Sequence, residues 1–214
     1  MVRNSDVLIA ELVGGLEPVK PLRFSVGLAY TLIAGAVSAL LVVARFGLRP
    51  DLMVGQVNPF HLIATGLCLG LGLAASVTVI VMSRPSVGTD HSGWAWAAAM
   101  ASLLPAAGLI AALSNGGSLF AQDAVMHGAE CFLFSGGASL LVFDVLVWWL
   151  RKGAPTAPDR AGLVVGIAAG SFGAFAFLLH CPENNIVHIG VWHSAVVLAM
   201  GALGRALVPS LVRW

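Results

Sequence analysis

Long apolar stretches alternate with short polar connections along this chain, and the pattern occurs six times. Each stretch holds about 20 residues with almost no charged side chain, which is the length of helix that crosses a bilayer core of about 30 Å. Inside that core the backbone must satisfy its own hydrogen bonds, so each stretch is predicted to be helical. The predicted spans are Phe24–Ala44, Phe60–Met82, Trp94–Ser114, Cys131–Leu150, Ala161–His180 and Ile186–Gly204. The pattern therefore predicts an all-α polytopic membrane protein, a bundle of six transmembrane helices.

Composition agrees with a membrane protein and excludes several other classes. Hydrophobic residues make up 58% of the 214 positions and charged residues only 10%, whereas soluble chains average about 45–50% and 25%. The net charge of +1 argues against direct binding of nucleic acid, which needs a concentrated basic face. Three cysteines are too few for a disulfide-rich secreted scaffold.

Lys and Arg are distributed unevenly between the two sides of the predicted bundle. One side holds only Arg45 and Arg49. The other holds the remaining nine basic residues: Arg3, Lys20, Arg23, Arg84, Arg151, Lys152, Arg160, Arg205 and Arg213. By the positive-inside rule, the chain is predicted to have both termini in the cytoplasm. The first 23 residues are too polar and acidic for a cleaved signal peptide, so the first span is expected to remain attached as a signal anchor.

Residues with reactive side chains gather at the predicted outer ends of the spans. Cys131 begins the fourth span and Cys181 directly follows the fifth. Five of the six histidines and two acids fall on the same side: His61, His127, His180, His188, His193, Glu130 and Glu183. Such an uneven distribution marks this side as the candidate for chemistry.

Three interpretations of this set remain open. Cys131 and Cys181 could be a redox pair in an oxidising compartment, whose disulfide would close a loop of about 50 residues and contribute roughly 4 kcal/mol. Alternatively, thiolate, imidazole and carboxylate groups could bind a transition-metal ion, although their spacing matches no recognised site. The candidate ligands are His127, Glu130, Cys131, His180, Cys181, Glu183 and His188. Third, the histidines could lie at the water boundary while the cysteines pack as small apolar residues.

Residues 1–23 form the only sizeable segment predicted on the cytoplasmic side, with residues 24–214 making the transmembrane domain. The segment is expected to contain a short amphipathic helix that Gly14 and Gly15 end. Its acids outnumber its bases before Lys20, the wrong balance for an anionic lipid surface, so a protein partner is favoured. The predicted partner-binding residues are Leu8, Ile9, Leu12, Val13, Leu16, Pro18 and Pro21.

These features together resemble the NrsF family, bacterial inner-membrane anti-sigma factors for extracytoplasmic-function sigma factors. The resemblance rests on the leucines and prolines of the tail, the six short-looped spans, and the segment His180-Cys181-Pro182-Glu183 followed by Val191-Trp192-His193. It implies a cytoplasmic N-terminal segment that binds and sequesters the sigma factor. It also implies a periplasmic cysteine pair, here Cys131 and Cys181, that is linked to release under metal or oxidative stress.

Other functions are less consistent with the chain. A six-span transporter of metal ions or small solutes is the alternative, but the spans lack paired charges deep in the membrane and interrupted helices at matching positions. A thiol oxidoreductase would be expected to carry a C-x-x-C pair, and no nucleophilic triad or phosphate loop is present. The chain is therefore predicted not to be an enzyme, with no cofactor beyond a transition-metal ion at the cysteines.

Overall fold

A computed structural model of the protein describes residues 5–16, 21–85, 92–114 and 122–212. The regular elements in these ranges are all helical, which confirms the all-α prediction. In chain order they are α1 (Ser5–Gly14), α2 (Phe24–Phe46), α3 (Pro50–Val54), α4 (Pro59–Met82), α5 (Gly93–Ser114), α6 (Gln122–Lys152), α7 (Pro158–Leu178), α8 (Ile186–His188), a π-helical turn (Ile189–His193) and α9 (Ser194–Val212). The turn joins α8 and α9 into one continuous helix.

Six of the described helices are long and apolar enough to cross a membrane, as predicted. They are α2, α4, α5, α6, α7 and the continuous helix Ile186–Val212. The two largest differences from the predicted spans are in α6, which begins at Gln122 instead of Cys131, and in α9, which continues to Val212 instead of ending at Gly204. Helix α7 covers Pro158–Leu178 instead of Ala161–His180, and the remaining bounds differ by at most two residues. Hydropathy locates the part of a helix that suits lipid, whereas helical hydrogen bonding continues into the more polar flanking residues.

Helix α7 is the centre of the bundle. In the most apolar 18-residue stretch of α7, 89% is buried, compared with 22–44% in the corresponding stretches of the other five spans. A helix that is surrounded on every side must be narrow, and α7 carries glycine at positions 162, 166, 170 and 173. A Cβ atom on Gly166 would collide with the backbone of Met200 in α9, and one on Gly173 with the backbone of Ser135 in α6. These glycines allow the helix backbones to approach closely, as small residues do in membrane bundles.

The end of the bundle that carries Arg49, Cys131 and Cys181, here called the thiol end, is organised around a buried guanidinium. The Arg49 side chain is only 1% exposed. Nε and Nη2 donate to the two carboxylate oxygens of Asp51, at 2.7 and 2.5 Å. Nη1 donates to His61 Nδ1 at 2.7 Å and to the Cys181 carbonyl oxygen at 2.6 Å, and Nη2 also donates to Asn184 Oδ1 at 3.1 Å. All five N–H donors of the guanidinium are therefore satisfied.

The charge states around Arg49 follow from this network. Because a guanidinium can only donate, we assign the nearer ring nitrogen of His61, Nδ1, as the acceptor, which makes His61 a neutral imidazole with its proton on Nε2. That nitrogen lies 3.2 Å from Thr65 Oγ1. The hydrogen bond from Arg49 holds the pKa of the Asp51 carboxyl below its ordinary value of 3.8, so that Arg49 keeps an ionised partner. The network ties the α2–α3 connection to the start of α4 and to the α7–α8 connection.

The tail helix α1 is described separately from the bundle, since residues 17–20 lie outside the described ranges. It ends at Gly14, as the glycine pair predicted. Leu8, Ile9, Leu12 and Val13 lie within an arc of about 140° on one face, at 100° per residue. Leu16 follows the end of the helix, and Pro21 lies in the extended segment before α2. Pro18, the remaining predicted partner-binding residue, lies outside the described residues.

We expect glycine at the α7–α9 contact to be required for stability, whereas a glycine whose Cβ position is open, such as Gly66, is replaceable. Gly166→Ala should lower the free energy of unfolding by about 1–3 kcal/mol, because the new methyl group meets the rigid backbone of Met200. Gly66→Ala is the matched control, since no atom lies within 4 Å of its Cβ position. The melting temperature of each detergent-solubilised variant measures the difference. Equal melting temperatures would contradict the close packing of α7 on α9.

The Arg49 network should stabilise the thiol end far more than an exposed arginine nearby does. Arg49→Met should cost about 3 kcal/mol, because it leaves the Asp51 carboxylate and the Cys181 carbonyl without their donor. Arg45→Met is the control, since Arg45 is exposed in the last turn of α2. Thermal unfolding followed by fluorescence-detected gel filtration compares the two variants. A similar shift in both would show that the buried network does not hold this end together.

Candidate functional site

Two cysteines from different parts of the chain meet at the thiol end. Cys131 lies in the third turn of α6, and Cys181 lies in the connection between α7 and α8. Both side chains are buried, and their Sγ atoms are 3.8 Å apart. Both are free thiols, as is Cys68 in α4. The thiols are thus in contact without being bonded, since a disulfide holds its sulfurs about 2.05 Å apart.

Two histidines complete a group of four ligand-bearing side chains with the cysteines. His188 Nε2 lies 3.6 Å from Cys181 Sγ. The ring of His127, one turn before Cys131 on α6, is 5.4 Å from the ring of His188 between centroids. One nitrogen or sulfur atom from each of His127, Cys131, Cys181 and His188 lies within 4.8 Å of the others. Such a group has the donor chemistry for a soft or borderline metal ion.

The π-helical turn brings a fifth polar side chain beside this group. In an α-helix, residues five apart point about 140° away from each other around the axis. The i→i+5 hydrogen bonding of a π-helix brings them to the same side instead, and the rings of His188 and His193 are 5.5 Å apart. His193 is fully buried and interacts with the Cys181 thiol, yet neither of its ring nitrogens makes a well-oriented hydrogen bond.

The structure separates the seven predicted metal ligands into two sets. His127, Cys131, Cys181 and His188 converge, whereas Glu130, His180 and Glu183 do not belong to the group. His180 instead has Nδ1 3.1 Å from the carbonyl oxygen of Gly47, so that it contacts the end of α2. The sequence pattern could not separate these residues, because it places them all at one depth without showing which way each side chain points.

His193 and Arg49 were not among the predicted site residues, although both are close to the cysteines. His193 lies inside the last predicted span, Ile186–Gly204, where a continuous α-helix would turn it away from His188. Arg49 contributed only to the count of basic residues. The signal for His193 was its unusual polarity in an apolar stretch. The signal for Arg49 was its position before Pro50 and Asp51, because the guanidinium can reach the carboxylate of Asp51.

The surroundings of Cys181 favour its ionised form. The thiol of Cys131 and the imidazole of His188 lie within hydrogen-bonding distance of its sulfur, and both lower the pKa of the Cys181 thiol. A cavity of about 110 Å³ opens beside both cysteines. It is lined by Phe46, His127, Glu130, Cys131, Phe134, Phe177, His180, Cys181 and Pro182. A small reactant therefore has space next to the sulfur that ionises more easily.

Helix α2 extends from the tail to this site. It begins at Phe24, directly after residues 21–23, and its 23 residues rise about 34 Å at 1.5 Å per residue. At the far end, the ring of Phe46 packs against Phe134 of α6, Phe177 of α7 and His180, with centroid distances of 4.8, 5.6 and 5.3 Å. The tail and the thiols are thus connected by a single helix.

The tail helix presents its apolar face uncovered. Leu8, Ile9, Leu12 and Val13 are between 39% and 64% exposed, and no residue of α1 is buried. An exposed apolar face on a short helix is typical of a segment that binds in a partner's groove. Within the part of the chain that the structure describes, none of these four residues is buried, so the face is available for intermolecular contact.

Comparisons with known proteins agree with the resemblance seen in the sequence. The chain is 32% identical to the anti-sigma-F factor NrsF of Caulobacter vibrioides over 98% of its own length and 97% of that protein. It is 29% identical to the probable anti-sigma-F factor NrsF of Azospira oryzae over 99% of its length and all of that protein. No solved structure is significantly similar. The family model described as NrsF, negative regulator of sigma F, matches residues 12–214. The chain therefore belongs to the NrsF family of anti-sigma factors.

Proposed function

We propose that this protein holds an extracytoplasmic-function sigma factor at the bacterial inner membrane and releases it when its two outer cysteines react. The tail, residues 1–23, would bind the sigma factor in the cytoplasm. Cys131 and Cys181 would sense metal or oxidative stress in the periplasm. The observation that carries the proposal is the contact of the two buried thiols at 3.8 Å, at the far end of the helix that begins at the tail.

The distribution of basic residues supports this orientation. Among the described residues, Arg84, Arg151, Lys152 and Arg160 lie at the same end of the bundle as the start of α2. Such a basic end faces the cytoplasm in most membrane proteins. It would place the tail beside the sigma factor and the thiols in the oxidising compartment, where a redox signal can reach them.

Release requires that the signal change the arrangement of helices. Oxidation of the pair removes two protons and two electrons, which a two-electron oxidant such as a peroxide or a hypohalous acid accepts, and forms one S–S bond. That bond would bring the sulfurs from 3.8 Å to about 2.05 Å. Rotation of the two side chains would cover part of this change, and the start of α6 and the α7–α8 connection would move together by the rest. Phe46 contacts both α6 and α7, so the end of α2 would move with them.

The energy needed for such a switch is small. A tenfold loss of affinity for the sigma factor requires only about 1.4 kcal/mol. A ligand or a reaction shifts a conformational equilibrium only by as much as its own free energy, of binding or of reaction, differs between the two states. A covalent bond or a metal ion that suits one arrangement of the cysteines supplies several times that amount.

We expect the apolar face of α1 to be required for capture of the sigma factor. The double variant Leu8→Asp with Leu12→Asp should reduce capture at least about 30-fold, because losing one buried anchor typically costs about 2 kcal/mol. The control is Val7→Asp with Ala10→Asp, which adds the same charge on the opposite face. Tagged full-length protein is purified in detergent from the source bacterium, and mass spectrometry quantifies the sigma factor that remains bound. Equal capture by both variants would exclude this face as the binding surface.

The cysteine pair should be required for release but not for capture. Cys131→Ser with Cys181→Ser should retain the sigma factor and abolish induction of a reporter for it when cells are exposed to a thiol-reactive metal ion or a hypohalous acid. Cys68→Ser is the control, because it makes the same change at a buried cysteine outside the pair. Immunoblotting confirms equal amounts of each variant in the membrane. Normal induction in the double serine variant would refute sensing by these thiols.

A further inference from the structure

Two distances within the four-residue group match those between ligands on a single tetrahedral ion, and the remaining ligand atoms lie within 4.8 Å of one another. Zinc binds sulfur at about 2.3 Å and nitrogen at about 2.0 Å. At the tetrahedral angle these lengths place two sulfurs about 3.8 Å apart, and a sulfur and a nitrogen about 3.6 Å apart. The structure has 3.8 Å between the Sγ atoms of Cys131 and Cys181, and 3.6 Å from Cys181 Sγ to His188 Nε2.

The convergence of all four side chains makes the comparison specific. Two thiols in ordinary contact would lie at a similar distance, so the cysteine pair alone does not indicate a metal. Here His127 and His188 reach the same point from two different helices, so that one atom from each side chain lies within 4.8 Å of the rest. Two thiolates and two imidazoles are the ligand set of many structural zinc sites.

Charge balance favours a divalent ion at this buried position. Each cysteine must lose its proton to bind metal, so binding of one Zn²⁺ releases two protons and leaves a site with no net charge. A neutral site avoids the large cost of an uncompensated charge away from water. A monovalent ion on the same two thiolates would leave one negative charge, and Arg49 is already saturated by five other acceptors.

His193 supplies an independent observation in favour of a ligand. It is fully buried next to the group, and both ring nitrogens lack a well-oriented hydrogen bond. Buried polar groups without a well-oriented hydrogen bond are rare, and each needs an explanation. A metal-bound thiolate at Cys181 is a strong acceptor for an imidazole N–H, and such outer partners typically orient metal ligands.

We infer that the protein in its resting state binds one zinc ion through His127, Cys131, Cys181 and His188, with His193 as a positioning residue behind Cys181. Loss of this ion is then the event that frees the cysteines to change their separation. This second statement rests on the proposed function. A soft divalent ion such as Cd²⁺ would compete for the same four ligands, and an oxidant that removes the thiolates would expel the zinc.

The zinc content of purified protein tests the site directly. Full-length protein is purified in detergent under reducing conditions without chelator, and zinc is measured by inductively coupled plasma mass spectrometry. We expect about one zinc per chain in the wild type and at least a tenfold loss in His127→Gln and in His188→Gln. His180→Gln is the control, because His180 lies beside the site but outside the ligand group, and it should retain the metal.

Cobalt substitution provides a second measurement that does not depend on stability. Co²⁺ in the wild-type protein should show thiolate-to-metal charge transfer together with the intense visible bands of tetrahedral geometry. His127→Gln should weaken or shift these bands while the protein elutes normally in gel filtration, since His127 is less buried than the other three ligands. Wild-type zinc content in both histidine variants, or wild-type protein that binds neither metal, would overturn the inference.

The regulatory statement is tested separately from the site. Sigma-factor release by a hypohalous acid is compared for zinc-loaded and chelator-treated wild-type protein. Release at a lower dose of oxidant after zinc removal supports zinc loss as the event that frees the cysteines, and it agrees with retention by the double serine variant, which lacks the reactive thiols as well as the zinc. Equal release, with about one zinc in the untreated protein, overturns that statement and leaves the zinc site in place. Conversely, loss of induction in the double serine variant together with zinc-free wild-type protein would uphold the proposed function and overturn the zinc site.

Discussion

The buried guanidinium of Arg49 holds the thiol end of the bundle in one arrangement. A charge with 1% exposure is tolerated only when every donor has a partner, and these partners come from three separate segments of the chain. One of them is the carbonyl oxygen of Cys181, so the network positions a cysteine through its backbone and leaves the sulfur free to react. The backbone N–H of Arg49 also bonds to the Leu179 carbonyl at 3.0 Å, which strengthens the same connection.

Close packing around α7 determines how a local change at this end can be transmitted. Where α7 is narrowest, at Gly162 and Gly166 against α9 and at Gly173 against α6, the helices meet through their backbones and cannot adjust by rotating side chains. A displacement of α6 relative to α7 therefore moves backbone against backbone at Gly173. Interfaces of this kind favour discrete arrangements over gradual deformation, and a switch needs two discrete arrangements.

Chemistry at the site depends on elements that are far apart in sequence. Cys131 and Cys181 are 50 residues apart and meet only because α6 packs along α7. His188 and His193 share one side of a helix only because the hydrogen bonding between them is π-helical. The approach of α5 to this turn is made possible by Gly108 against Gly190, where a Cβ on either residue would meet the other backbone.

The sequence alone was sufficient for the six spans, the short tail helix, the family and the placement of Cys131 and Cys181 at the same end of the bundle. These features depend on the length of apolar stretches, on local periodicity and on residue types, all of which are local properties of the sequence. The tertiary structure decided that α7 is central, that Arg49 is buried, and that His127 and His188 approach the cysteines while Glu130, His180 and Glu183 do not. The reason is physical: hydropathy reports how deep a residue lies, whereas ligand geometry depends on the rotation of each helix about its axis. Packing sets that rotation, and a single π-helical turn was enough to change it.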